Sequence, residues 1–297
     1  MILSALRNAD LSKYKDTMRP LIEKDIFETE RILTDFQLSG LTRDIKTSIA
    51  DTKTGFENSF ATENFYDKQT QDETHLKRIL ECLRVSDGMK ILDLGTGTGY
   101  LAFPFATQYP KAQVTGLDIV ELALNRNRER ATQKELKNLR FVNYNGLIFP
   151  FESKTFDMVI TRYALHHFPD IEGTFREVCR VLKPGGKFFL SDPAPNDDDM
   201  QRFVDAYMQM KKDGHIKFYT KKEWQRIGES TGFKFVDDFE TDIRFPKKRQ
   251  NALELDSILQ RFDEQVVKGY DLEIVDNEIW ITEKVNNILL QKSPSDY

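Results

Sequence analysis

Apolar positions recur at helical spacing from residue 1 to about 55. Ile22, Ile26, Leu33 and Phe36 share one face, and Leu38, Leu41, Ile45 and Ile49 another, with Ser39-Gly40 as the break between them. Charged residues fill the remaining faces. The segment reads as a helical appendage packed on a core or on a second copy of the chain, or as a lid over a pocket. An aromatic stretch follows, with Phe56, Phe60, Phe65 and Tyr66. Next comes a helix with Leu76, Ile79, Leu80 and Leu83 on one face, closed by Ser86-Asp87-Gly88.

The period then changes. Short apolar runs at residues 89–94, 113–118, 139–144, 156–161 and 186–192 predict strands. Helix-period segments at 100–108, 122–136 and 171–182 separate them. Strand-helix alternation of this kind builds a parallel sheet with helices on both faces. Lys183-Pro184-Gly185-Gly186 reads as a helix stop and a turn before the fifth strand. Beyond Pro195 the rhythm is different. A Pro/Asp-rich loop precedes a helix at about 200–212, and a helix at 221–230 starts after Thr220 as N-cap. A long strand is expected at 233–245 and more helix at 249–268. Residues 285–292 fit a final strand, with helix as the competing reading.

The glycines carry the chemistry. Asp93-Leu94-Gly95-Thr96-Gly97-Thr98-Gly99 places three glycines at alternate positions after an apolar run that ends in a carboxylate. With no Cβ, such a turn lets the backbone approach a ligand closely. Strand, tight turn and helix start together make the nucleotide-type site of a doubly wound sheet. The spacing is GxGxG, not the GxGxxG of nicotinamide or flavin sites. Asp118 ends the second strand, where an acidic residue takes ribose hydroxyls in such folds, or caps the next helix.

These residues resemble motif I of class I S-adenosylmethionine-dependent methyltransferases. Further segments run in the family's order. They are Phe149-Pro150-Phe151-Glu152-Ser153-Lys154-Thr155-Phe156-Asp157, then Leu165-His166-His167-Phe168-Pro169-Asp170, then Phe175-Arg176-Glu177-Val178 through Leu182-Lys183-Pro184-Gly185-Gly186. They are most similar to the small-molecule branch that contains the ubiquinone/menaquinone-biosynthesis enzymes. The resemblance spans about Phe60 to Pro195.

The resemblance implies an α/β fold: a Rossmann-like, doubly wound, mostly parallel sheet of seven strands, with an N-terminal helical extension and helical cap insertions. The expected division is 1–55 for the extension, 56–195 for the donor-binding core and 196–297 for completion of the sheet with cap helices. It implies S-adenosyl-L-methionine as cofactor and S-adenosyl-L-homocysteine as product. The expected cofactor site comprises Asp93, Gly95, Thr96, Gly97, Gly99, Asp118 and Ile119, with Asn145, Gly146 and Leu147 near the adenine. Asn145 stands where the family usually has aspartate. Tyr66 is placed over the methionine end, because aromatic faces attract cations such as a sulfonium. Arg162 either makes a salt bridge or reaches the cofactor carboxylate.

His166 and His167 follow the fourth strand, where acceptor meets donor. Either serves as a general base, or the pair caps the next turn and packs structurally. His215 is a further candidate base. No metal site is expected, because neither histidine has a second ligand at helical spacing. Thr161-Arg162-Tyr163-Ala164 stands where nucleic-acid amino methyltransferases carry (D/N)PP(Y/F), which argues against a nucleic-acid substrate.

Bulk properties narrow this only slightly. The chain has 297 residues, 39% hydrophobic and 31% charged, with a net charge of −5, a poor match for phosphate backbones. Cys82 and Cys179 form no CxxC pair and are expected as small buried apolar residues. No signal-peptide-like stretch or run of ~20 apolar residues occurs, so no membrane insertion and a cytoplasmic location are expected. A small-molecule acceptor is the expected partner, with a homodimer formed through the N-terminal helices as an option. Two other readings stay open: a catalytically silent S-adenosylmethionine-binding protein and a nicotinamide-dependent oxidoreductase. Neither the acceptor nor the methylated atom type is readable from the sequence.

Overall fold

Alternating side chains along the central strands divide the molecule into two layers of core. The computed structural model describes residues 45–61, 73–211, 213–248, 252–276 and 278–294. The central strands are β1 (Lys90–Leu94), β2 (Gln113–Asp118), β3 (Leu139–Asn143), β4 (Phe156–Arg162) and β5 (Leu182–Ala194), all parallel to one another. Met158, Ile160 and Phe189 join one core with Phe103, Phe105 and Ile79. Val159, Phe188 and Leu190 join the other with Phe175 and Trp224. Each such ring or aliphatic side chain contributes about 1.5–3 kcal/mol when fully buried.

Helices cover both faces. They are α1 (Ile45–Ala61), α2 (Glu73–Cys82), α3 (Ala102–Gln108), α4 (Glu121–Gln133) and α5 (Ile171–Val181). The later part adds α6 (Phe203–Gln209), α7 (Lys221–Ser230), β6 (Phe233–Lys248), α8 (Ala252–Leu259), α9 (Glu264–Lys268), β7 (Glu273–Val275) and β8 (Glu278–Lys292). The sheet order is β3-β2-β1-β4-β5-β8-β6, with β7 paired to β8 off this path. β8 runs antiparallel to β5 and to β6.

The expected doubly wound, mostly parallel sheet is therefore present, with its late strands as an antiparallel hairpin. β8 decides residues 285–292 for strand and extends seven residues further toward the N-terminus, where Ile279, Ile281 and Glu283 are buried at alternate positions. α7 begins at Thr220 as expected. The Thr220 side chain accepts from the Glu223 N–H and Glu223 reaches back, a capping box worth about 1 kcal/mol.

Three details differ from expectation. Lys183-Pro184-Gly185-Gly186 is not a separate turn: β5 starts at Leu182, and an irregular register opposite Phe156 and Met158 absorbs the Pro-Gly-Gly within the strand. Residues 249–268 hold two short helices, α8 and α9, because Asp263 caps a new start. Cys82 and Cys179 are only partly buried.

α1 crosses the boundary expected after residue 55, so Phe56 and Phe60 continue the helix that carries Ile49 and Thr52. Residues 1–44, with most of the expected extension and its dimer contact, lie outside the described residues. So do Phe65 and Tyr66. No helix among the described residues is long and apolar enough to cross a membrane.

Between α6 and the β6–β8 hairpin lies a third apolar cluster, with Phe203, Tyr207, Phe218, Ile243, Phe245 and Tyr270. This is the cap, and it packs over the carboxyl ends of the parallel strands.

Candidate active site

At those carboxyl ends one cavity joins the glycine turn to the histidines. Its walls include Gly95–Thr98, Asp118 and Ile119 on one side and Tyr163, His166, His167 and His215 on the other. α1 lays one face across it: Ile49, Thr52, Phe56 and Phe60, at helical spacing, all line the space.

The glycine turn is held by backbone and carboxylates. Gly95 and Thr96 N–H groups donate to Leu117 O at 2.8 and 3.1 Å. The Asp93 carboxylate accepts from Thr96 Oγ1 at 2.6 Å and from Ala102 N–H at 3.1 Å, so it ties the turn to the start of α3. Asp93 does not line the cavity. Burial pushes its carboxyl up to about 7, against those two donors. Asp118 accepts from Gly97 N–H at 2.8 Å and from Val120 N–H at 2.9 Å while still lining the cavity. Burial raises its pKa too.

The three glycines differ in what they avoid. A Cβ on Gly95 would stand 2.5 Å from the Ala164 Cβ, and one on Gly99 would stand 2.6 Å from the Phe103 ring. Gly97, at φ +48°, faces nothing within 4 Å: a side chain there would project into open space. Gly97 thus leaves a cradle that any other residue would fill. The cradle, the acidic Asp118 beside it and the aromatic walls Tyr100 and Tyr144 suit a nucleoside bearing a cationic group.

Of the expected cofactor residues, Gly95, Thr96, Gly97, Asp118, Ile119, Gly146 and Arg162 line this space. Asp93, Gly99, Asn145 and Leu147 are not part of its lining. Asn145 Oδ1 accepts from the Leu147 and Ile148 N–H groups, both at 2.9 Å, and shapes its own loop. Gly146 instead approaches the space, against Ile49 of α1. Arg162 is buried with its guanidinium 4.0 Å above the Tyr100 ring and 4.6 Å from that of Tyr163. Tyr66 lies outside the described residues.

The histidines occupy a 3₁₀ turn, Leu165–His167. They do not cap α5, since Asp170 does that by accepting from Gly173 N–H. His166 Nδ1 meets Asp192 at 3.0 Å, both side chains being buried. Burial pushes the Asp192 carboxyl up, opposed by His215 and by backbone N–H groups of Ala164, His166 and Leu165. The His166 and His167 rings lie 4.2 Å apart, and His215 is 5.4 Å from His166. Burial drives His167 well below the ordinary histidine value.

His215 arrives from the cap. Its Nε2 meets Asp205 Oδ1 at 2.8 Å, Phe218 N–H donates to the same oxygen at 2.7 Å, and Arg202 Nε donates to Oδ2 at 2.7 Å. Burial alone would raise Asp205, but Arg202 and His215 overcome it and hold the carboxyl low. Asp213 follows the same pattern, with Lys211 at 3.0 Å overcoming its burial.

Sequence reasoning missed Asp192, Asp205, Asp213, Lys211 and Glu283. A signal existed for two. Asp192 lies near the end of an apolar strand, as Asp93 and Asp118 do. Glu283 sits at an inward position between Ile281 and Val285 and is fully buried, a charge in an apolar slot of the alternation. Among the described residues no group of three or more histidine, cysteine or acidic side chains is arranged to hold a metal ion.

A family model described as a methyltransferase domain matches residues 85–232. Demethylmenaquinone methyltransferase of Listeria monocytogenes is 33% identical over 159 residues, 52% of this chain and 67% of that protein. The uncharacterized methyltransferase YcgJ of Bacillus subtilis is 31% identical over 149 residues, 50% of this chain and 58% of its own. A crystal structure of YcgJ from that organism superimposes with a TM-score of 0.64 at 23% identity, covering 75% of this chain and 99% of that one. A glycine cradle beside Asp118 and a domain-wide match to methyltransferases lead to one conclusion: the chain belongs to the S-adenosylmethionine-dependent methyltransferases.

Proposed function

We propose that this enzyme methylates a small molecule held between α1, the 3₁₀ turn and the cap, with His166 as the base. The observation that carries this reading is the shared cavity, with a glycine cradle at one end and a buried His166–Asp192 pair at the other. The name of the Listeria relative points to a small-molecule acceptor as well.

When bound, S-adenosylmethionine supplies a methyl group on a positively charged sulfur. In this reading the backbone of Gly95, Thr96 and Gly97 lies against it, with Asp118 accepting from ribose hydroxyls and Ile119 and Gly146 beside the adenine. Arg162 serves the carboxylate end. Thr52, Phe56 and the cap close the space and exclude water. Holding the acceptor aligned with the methyl carbon can contribute several kcal/mol of the barrier reduction, on the order of 7–11 kcal/mol at most. Asp192 holds His166 Nδ1, fixing the ring and its tautomer, and the other ring nitrogen takes the acceptor's proton.

The test has two readouts. Calorimetry should show S-adenosylhomocysteine binding. With methyl-labelled donor and a metabolite extract, label should enter the low-mass fraction. His166→Asn should slow that transfer by about 10²-fold or more with donor affinity unchanged. Label confined to protein or nucleic acid, or an unaltered rate in His166→Asn, overturns the reading.

A further inference from the structure

α4 buries Ala123, Leu124, Asn127 and Ala131, and Asn127 is the polar member of that set, 3% exposed. Helical preference does not explain it, because asparagine is a poorer helix former than the alanines one turn before and after it. A buried amide is tolerated where it finds a partner. The partner is the glycine turn: Asn127 Nδ2 donates to the Gly97 carbonyl at 2.8 Å. Arg130, three residues on, donates from Nη2 to the Thr98 carbonyl at 2.6 Å. α4 thus holds two consecutive carbonyls of the turn. Gly97 and Thr98 line the cavity, whereas Asn127 and Arg130 are not part of its lining.

The Gly97–Thr98 peptide needs such a hold. Gly97 sits at φ +48°, and a Cβ there would meet nothing within 4 Å. Glycine takes either sign of φ at little cost, so the freedom that leaves the cradle empty also lets this peptide turn over. The peptide before it is fixed by the Gly97 N–H, which donates to Asp118 at 2.8 Å. The peptide after it is fixed by Arg130 on the Thr98 carbonyl. Between them, Asn127 holds the Gly97–Thr98 peptide. The peptides of the described residues are all trans, so N–H and C=O point in opposite directions. With the Gly97 carbonyl on Asn127, the Thr98 N–H points away from α4.

We propose, resting on the placement of the donor in the glycine turn, that Asn127 is a positioning residue for donor binding. By holding the Gly97 carbonyl it keeps the Thr98 N–H turned into the cradle. Without Asn127 the peptide reverses in part of the population. A carbonyl oxygen then stands where an N–H stood, so a hydrogen bond to the donor is lost and the cradle is narrowed. Asn127 thereby fixes the orientation on folding rather than on binding, which raises affinity. A tenfold loss of affinity corresponds to a productive orientation populated about one tenth of the time.

The test titrates S-adenosylhomocysteine by calorimetry into the natural protein, Asn127→Ala, Asn127→Leu and Leu124→Ala. Leu124 is fully buried in the same helix and outside the cavity lining, so Leu124→Ala reads the effect of destabilising α4 alone. Affinity should fall at least about tenfold in both Asn127 variants and stay within about twofold in Leu124→Ala. With isotope-labelled threonine, the Thr98 amide resonance of the natural protein should move when the ligand is added. In ligand-free Asn127→Ala it should split or broaden as two orientations exchange. Unchanged affinity in the Asn127 variants, an equal loss in Leu124→Ala, or a Thr98 amide unaffected by the ligand each overturns the proposal. Unchanged affinity in Gly97→Val would instead remove the donor from the glycine turn, the placement on which the proposal rests.

Discussion

The two ends of the cavity are built in opposite ways. The donor end is local: Asp93 through Ala102, ten consecutive residues, supply the strand end, the turn and the helix start, and Asp118 closes the turn from the next strand. The acceptor end is assembled from α1, the turn after β4, the end of β5, the cap and β8, segments more than two hundred residues apart in sequence. A local site is held by backbone geometry. An assembled site is held by side-chain networks that tie its pieces together. The first fails when a single backbone position is filled, and the second when one node is lost.

Asp205 is the node to remove first. Its carboxylate holds Arg202, His215 and the Phe218 N–H at once, all buried. Asp205→Asn leaves the Arg202 charge without its anion and sets an amide N–H against other donors. The expected loss is about 3–5 kcal/mol of unfolding free energy, read by urea denaturation. S-adenosylhomocysteine affinity, measured where the variant is folded, should change far less. A loss under about 1 kcal/mol would mean that the cap does not hold the acceptor end.

Gly97→Val probes the other mode. The valine must adopt φ +48° and its side chain enters the cradle. The left-handed backbone costs about 1–2 kcal/mol. Donor affinity, by calorimetry, should fall at least about 100-fold, equivalent to ~2.7 kcal/mol. Gly95→Ala gives the contrast within the same turn. Its Cβ collides with Ala164 at 2.5 Å, so the damage should appear first in stability. Equal donor affinity in Gly97→Val and the natural protein would show that the cradle is not where the donor lies.

The same contrast explains what was legible in the sequence. The parallel strands and the glycine turn follow from short-range rules, the period of apolar residues and the freedom of glycine, so β1 to β4 were readable to within a residue or so. His166 and His167 were readable because they sit directly after a strand end. Their partners were not. Asp213, whose charge acts on His167, and Asp205, which holds His215, lie in a segment whose sequence reads as an amphipathic helix and a loop, and only the packing of the cap brings them to the histidines. Thr52 carries no motif, and only the placement of α1 across the cavity makes it part of the lining. The loop bonds of Asn145 were not legible either: a short amide side chain in a tight loop bonds its own backbone, which the spacing of the motif does not announce.

The two ends should also respond to pH with opposite sign, the smallest effect expected here per pH unit. His167 has a folded pKa below its ordinary 6.5, set by burial and by His166 and His215, with Lys211 adding to them and Asp213 opposing. Below pH ~6.5 the unfolded chain takes up a proton that the folded one refuses, so this contribution to stability is lost as pH falls. Asp93 behaves in reverse. Burial lifts it from 3.8 to about 7, with Asp118 adding to the rise and Thr96 and Ala102 opposing it. Between pH ~4 and ~7 the folded state keeps a proton that the unfolded chain has released, so stability falls as pH rises. Each group alone gives a slope of at most about 1.4 kcal/mol per pH unit. Urea unfolding of His167→Asn and Asp93→Asn from pH 4.5 to 7.5, each compared with the natural protein, separates them. The difference for His167→Asn should move in the variant's favour toward acid, and that for Asp93→Asn toward neutrality. Two differences of the same sign would mean that one of the two ends is more open to water than its geometry indicates.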